Sequence, residues 1–273
     1  MKRDQSSAGI RPSTIESYVF SSSRTSSFDP RRAFTLIELL VVIAIIAILA
    51  AMVMAVSARA KNTASKAIDI NNLRQIMIAL HSYTADSGDV LTPPNWDAGG
   101  FHGTDGNGTF TGWLYKPEPD LAVGDTNKFK VKTGLLWDTL RSEKIYFCPM
   151  DKPELARMSA SQGAVMTRAQ QISSYAMNGA VIGFNGMNYP PVKLAAMQPT
   201  DCAFWETDET DPYYFNDGAN FPAEGVSPRH YQGGIQAAFD TSVSYVRLDK
   251  WYQDEADSNK NRLWCYPNSE DGR

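Results

Sequence analysis

Phe34-Thr35-Leu36-Ile37-Glu38-Leu39-Leu40-Val41-Val42-Ile43-Ala44-Ile45-Ile46-Ala47-Ile48-Leu49-Ala50 decides how this chain is built. From Leu39 through Val56 no charged residue, proline or glycine interrupts the apolar run. A helix rises about 1.5 Å per residue, and about 20 residues cross a hydrocarbon layer of about 30 Å. In lipid every backbone amide must be paired within the segment, so a lone span has to be helical. A core helix of a soluble protein is the weaker reading, because Arg31 and Arg32 flank the run directly. A cleaved secretory signal also fits poorly, since its apolar region is typically about 7–15 residues and lies close to the start. Residues 34–56 are therefore read as a retained transmembrane helix. Residues 1–33, rich in serine from Ser6 to Ser27, read as a polar leader without a core.

Glu38 is the anomaly inside this run. A carboxylate in a membrane helix is costly unless it reaches the headgroup layer, is protonated or is paired. One reading is that Glu38 simply reaches the headgroups. The other needs a partner, and a cut before Phe34 would create one, a new ammonium one helical turn away. That amine could neutralise Glu38 within one chain, or pair with the Glu38 of a neighbour and set the register of packed helices.

The stretch from Ala33 to Ala50 resembles the N-terminal cleavage and methylation segment of type IV pilins and type II secretion pseudopilins. The resemblance implies that prepilin peptidase cuts between Ala33 and Phe34, and that the new amine of Phe34 is methylated. It further implies that Glu38 is the subunit-pairing carboxylate. Glycine is usual before the cut, and Ala33 keeps the side chain small. Lysines and arginines lie on both sides of the run, at Arg24, Arg31 and Arg32 before it and at Arg59, Lys61, Lys66 and Arg74 after it. Charge counting is therefore indecisive. A cytoplasmic N-terminus and a periplasmic or extracellular head follow from the resemblance, with anchoring by a single pass in the inner membrane.

Beyond the run, residues 57–85 contain no glycine or proline and are rich in helix formers. Ile70, Leu73, Met77 and Leu80 recur at helical spacing with Ile76 alongside, and Asp69, Arg74 and Gln75 are read as lying off the stripe. Such a stripe could lie on a bilayer. A head packing on it is the better reading, because most of the chain still follows. Asp86-Ser87-Gly88-Asp89 and Thr92-Pro93-Pro94 end the helix. The expected fold is α+β and pilin-like: a long N-terminal helix, transmembrane and then amphipathic, packed on a small, mainly antiparallel sheet. Within the head, residues 86–250, strands are expected at Lys144 to Cys148 and Ala203 to Glu206. A hairpin is expected from Gln236–Phe239 and Ser242–Leu248 around Asp240-Thr241. Residues 251–273 read as a polar C-terminal tail.

The head also resembles a pilin-like subfamily of planctomycete, verrucomicrobial and lentisphaeral bacteria. Its Cys-Pro, Ser-Tyr-x-Met-Asn-Gly and His-x9-Asp-Gly segments correspond to Cys148-Pro149, Ser174-Tyr175-Ala176-Met177-Asn178-Gly179 and His230 followed by Asp240. Thr241 stands where the final glycine would be.

No catalytic constellation emerges. The three histidines, His81, His102 and His230, have no ligand spacing, and no HExxH, GxSxG or phosphate loop occurs. His230 and Asp240 could hydrogen-bond across the base of the hairpin, or stand as an exposed pair. Cys148 and Cys202 adjoin expected strands and could form a disulfide; with three cysteines in all, buried free thiols are the alternative. No cofactor is expected. Calcium is a candidate, since related pseudopilins hold it in a C-terminal loop and Asp208, Glu209, Asp211 and Asp217 offer oxygens; a solvated acidic loop is the plainer reading. Trp205, Tyr213, Tyr214, Phe215 and Trp251 could form a recognition surface or fill the core. A net charge of −4 makes nucleic acid a poor partner.

The expectation is a non-enzymatic subunit of a type IV pilus-like or type II secretion pseudopilus filament. Its partners would be prepilin peptidase, homologous subunits and an inner-membrane assembly platform. The alternative is a membrane-anchored surface-binding protein that uses the segment only for export and anchoring.

Overall fold

A computed structural model describes residues 34–95, 111–116, 118, 129–151, 172–184, 188–207 and 218–273. The chain divides into two compact units, Met1–Val53 and Met54–Arg273.

Helix α1 spans Leu36–Asp86. It starts with a reciprocal cap. The Glu38 amide donates to Thr35 Oγ1 at 3.2 Å, and Glu38 Oε2 accepts from the Thr35 amide and hydroxyl at 2.9 and 2.8 Å. Two of the donors that every helix start leaves unpaired are thereby satisfied. The helix ends where expected: the Asp89 amide returns to Thr84 O at 2.8 Å, and Gly88 sits at φ 65°. The apolar section Leu36–Met54 is long enough to cross a membrane, and its side chains are bare of protein cover.

In the second unit the face of α1 carrying Leu73, Ile76, Met77, Ala79 and Leu80 is wholly buried. These residues join Phe204, Ile235, Trp113 and Tyr175 in one core. Four polar residues of the same helix are buried as well: Ser65, Asp69, Asn72 and Thr84. The placement of Asp69 off the stripe is therefore corrected. Asp69 precedes Leu73 by four residues and Ile76 by seven, which puts it on the buried face.

The sheet has five strands in the order β3-β1-β2-β4-β5, with β1 Tyr175–Asn178, β2 Cys202–Glu206, β3 Ala219–Asn220, β4 Gly233–Ala238 and β5 Val243–Arg247. The β1–β3 pairing is parallel and the others are antiparallel, so the sheet is mixed and mostly antiparallel. With α1 this is the expected α+β, pilin-like architecture. A shift in register between Cys202 and Phe204 marks a bulge in β2. Beyond it Ala203 and Phe204 enter the core with α1, while Cys202 and Trp205 join a second cluster with Val226, Val246, Trp251 and Leu263. Short helices α2, Trp137–Leu140, and α3, Leu248–Glu255, complete the regular structure used below.

Two further expectations are corrected. Glu143–Tyr146 is a turn of 3-10 helix instead of the start of a strand. Asn72 explains it, because its Nδ2 reaches across from α1 to the carbonyls of Lys144 and Phe147 and takes up acceptors that a strand ladder would use. Residues 251–273 are no loose polar tail: Trp251, Leu263, Trp264, Cys265 and Tyr266 are buried. Between them they hold the two core clusters, and Cys202 N donates to Arg262 O at 2.7 Å.

Candidate functional site

Two places bear on function: the start of α1 and a buried polar cluster beneath the sheet. At the first, Phe34 is exposed and precedes the Thr35–Glu38 cap directly. Ala33 lies outside the described residues. The cap itself was legible as Thr-x-x-Glu before an apolar run, a signature the sequence reading passed over.

The cluster is built by four separated segments. Asp69 comes from α1, Cys148 follows the 3-10 turn, Glu206 ends β2, and His230 lies in the turn before β4. Antiparallel register sets Tyr175 of β1 opposite Glu206, which brings the Ser174-Tyr175 segment to the same place. All four side chains are buried, and one donor atom from each lies within 4.8 Å of all the others. His230 Nε2 is the hub. It stands 3.2 Å from Asp69 Oδ2, 3.4 Å from Glu206 Oε1 and 3.4 Å from Cys148 Sγ.

Outer partners fix each of these groups except the far side of the imidazole. The Tyr175 hydroxyl donates to Asp69 Oδ1. Glu206 Oε2 accepts from the Ile235 amide at 2.7 Å, and Glu206 Oε1 accepts from Arg229 Nη1 at 3.0 Å. The Met150 amide points to Cys148 Sγ at 3.4 Å, and the Cys148 amide donates to Ser174 Oγ. Ser174 Oγ in turn donates to Asp151, 3.5 Å from Arg229. His230 Nδ1 has no hydrogen-bond partner among the described residues.

The electrostatics follow from crowding. Burial raises the Asp69 pKa, and the Glu206 charge adds to the rise against the pull of the His230 and Tyr175 hydrogen bonds. Burial alone would lower His230, but its hydrogen bonds to Asp69 and Glu206 and their charges push it up to about 9. Burial would raise Glu206 too, yet His230 and Arg229 hold it low. The Cys148 thiol is pushed up by burial and by the two carboxylates.

Several expected site residues fall elsewhere. His230 turns to Asp69 and Glu206, not to Asp240. Asp240 is exposed in the hairpin turn, where its Oδ1 accepts from the Ser242 amide at 2.8 Å. Cys148 and Cys202 are unpaired buried thiols, as is Cys265, so the Cys148–Cys202 disulfide is not formed. The two sit in different surroundings, Cys148 beside His230 and Cys202 in the second core cluster. His81 hydrogen-bonds Phe239 O at 2.7 Å. Trp205 and Trp251 fill the second cluster, 5.1 Å apart, and form no surface. His102, the acidic set Asp208, Glu209, Asp211 and Asp217, and Tyr213 to Phe215 lie outside the described residues. Sequence reasoning missed Asp69 and Glu206 as partners of His230, and Arg229 as the partner of Glu206. Only Asp69 left a signal, a carboxylate in step with Leu73, Ile76 and Leu80.

A model of the prokaryotic N-terminal methylation motif matches residues 29–54 of the chain. No curated protein and no solved structure matches it. With Leu36–Met54, the one helix among the described residues long and apolar enough to cross a membrane, this fits a single-pass membrane-anchored protein. The motif indicates a prepilin-peptidase substrate of the type IV pilin and pseudopilin kind.

Proposed function

We propose that the chain is a structural, non-enzymatic subunit of a type IV pilus-like or type II secretion pseudopilus filament. Prepilin peptidase cuts between Ala33 and Phe34 and methylates Phe34. The head then lies on the periplasmic or extracellular side, and the inner-membrane platform assembles the processed chains with homologous subunits. The observation that carries this reading is the methylation motif at residues 29–54, continuous with an apolar surface that has no cover of its own. Removing such a surface from both lipid and water contact requires other helices, and packing side by side supplies them.

Glu38 acts here between subunits. Thr35 occupies its Oε2, and Oε1 is left to accept from the methylated amine of a neighbour. Glutamine at this position keeps the capping acceptor and removes the charge. The expected outcome for Glu38→Gln, co-expressed with prepilin peptidase and an assembly system, is a chain processed to N-methylphenylalanine at Phe34 by mass spectrometry and missing from sheared filaments. Normal assembly of this variant would show that the charge pairs with nothing. An N-terminus still at residue 1 in the wild type would remove processing itself. A processed wild-type chain that never leaves the monomer would favour the anchored surface-binding alternative.

A further inference from the structure

We propose that Asp69, Cys148, Glu206 and His230 form a closed four-ligand site for a divalent cation of the zinc class, joining α1 to the sheet of the head. The geometry carries this. Zinc bonds of about 2.0 Å to nitrogen or oxygen and about 2.3 Å to sulfur place tetrahedral ligand atoms about 3.3–3.6 Å apart. The hub distances from His230 Nε2, at 3.2, 3.4 and 3.4 Å, have that spacing, and the remaining pairs close within 4.8 Å. Four donors from four segments of chain thus come within 4.8 Å of one another, all of them buried.

A proton alone serves this arrangement poorly. Nε2 carries at most one hydrogen, yet Asp69 Oδ2, Glu206 Oε1 and Cys148 Sγ all lie within 3.4 Å of it. A cation at the centre uses a lone pair from each. Bookkeeping of charge permits the exchange: the thiol and the imidazolium release two protons to solvent as the ion brings two charges, so the net charge of the buried cluster is unchanged.

The outer partners are those a metal site requires, because ligands are held by hydrogen bonds from a second layer. Tyr175 holds the Asp69 oxygen that points away from the centre, and the Ile235 amide holds the far oxygen of Glu206. The Met150 amide supports a thiolate at Cys148. Arg229 balances the excess of carboxylates. One thiolate and one imidazole argue against calcium or magnesium, and two carboxylates argue against a purely soft cation; zinc accepts all three donor types. A groove of about 500 Å³, lined among others by Asn72, Glu143, Lys144 and Phe147, borders one of the four residues, Cys148. Four protein ligands leave no open position, so the site is structural and does not activate water. It goes beyond the filament reading and stands without it.

The test uses the full chain in detergent, purified without a metal-affinity step, stripped with chelator and titrated with Co²⁺ and then Zn²⁺. The expected result is one Co²⁺ per chain, with a thiolate-to-cobalt charge-transfer band and intense tetrahedral visible bands, all displaced by Zn²⁺. Cys148→Ser loses the charge-transfer band and Cys202→Ser keeps it. X-ray absorption on the wild-type zinc form, which needs no variant to fold, should give one sulfur and three nitrogen or oxygen neighbours. No stoichiometric uptake, a zinc shell without sulfur, or a charge-transfer band that survives Cys148→Ser would each overturn the proposal.

Discussion

Asp201 shows how burial of one carboxylate writes a pH dependence into the fold. Its Oδ2 accepts from the Gln198 amide at 2.8 Å, and the residue is buried at the start of β2. Burial raises its pKa from 3.8 to about 6, against the smaller pulls of that hydrogen bond and of Lys260. Between these values the native chain binds more protons than the unfolded one, so this residue's contribution is full below pH 3.8 and is lost as pH rises through about 6. Asparagine retains the acceptor and has no charge to desolvate. Asp201→Asn should therefore gain on the wild type as pH rises, with the gain developing between about pH 4 and 6. Urea denaturation of both proteins at pH 4, 5.5 and 7.5 measures it. A difference that is the same at all three values would refute the assignment. Cys202 and Cys265 make a second point at this scale, since burial raises both thiols and keeps them protonated.

At the scale of elements, the β4–β5 hairpin and α1 differ in how openly their sequences announce them. In the hairpin, the amide of Thr241 returns to Ala238 O at 3.0 Å, and Ala238 N closes the loop on Ser242 O at 2.9 Å. That is a three-residue loop whose last position lies in the left-handed region, and Thr241 stands there at φ 70°. A β-branched residue is strained at such a φ, at about 1–3 kcal/mol, whereas glycine is not. Part of that relief is offset by the greater freedom of glycine in the unfolded chain. Thr241→Gly is expected to stabilise the head by about 1 kcal/mol, read as a higher midpoint at unchanged slope in denaturant. Any destabilisation would mean that the threonine side chain contributes more than its backbone costs. The hairpin was legible because alternating residues flank Asp240-Thr241. In α1 the apolar spacing gave the helix and its buried face, but a strict division into apolar and polar residues hid Asp69. Helix periodicity reports position on the cylinder regardless of polarity, and there Asp69 belongs with Leu73 and Ile76.

Over the whole molecule, the last residues are the ones whose role was least visible. Leu263, Trp264, Cys265 and Tyr266 are buried, and Asn178 Nδ2 in β1 donates to both Cys202 O at 2.8 Å and Leu263 O at 3.0 Å. Trp264 packs edge-on against Phe184 at 5.0 Å, and Arg273 covers its ring at 4.3 Å. Removing one large aromatic from a core costs about 3–5 kcal/mol, a large share of the total stability of a domain. A chain ending after Asn261 loses several such groups at once and should lack a protease-resistant head. A head fragment that survives limited proteolysis as well as the full chain would contradict this. These residues escaped notice because Asn259, Lys260, Asn261 and Arg262 dilute the apolar pattern before them, and no period of two or of 3.6 runs through them.

The sequence by itself determined the properties that depend on neighbours along the chain. These are the membrane-length helix, its cap at Thr35 and Glu38, the stop at Gly88, the β4–β5 turn and the methylation motif at residues 29–54. Each is a matter of local spacing, and spacing is written in the residue order. Tertiary structure alone decided that Asp69, Cys148, Glu206 and His230 converge, that His230 turns from Asp240 toward the spine, and that the C-terminal residues close the core. Asp69 and His230 lie 161 positions apart in the chain. No local period links residues so distant; they meet because burying the face of α1 against the sheet brings them together.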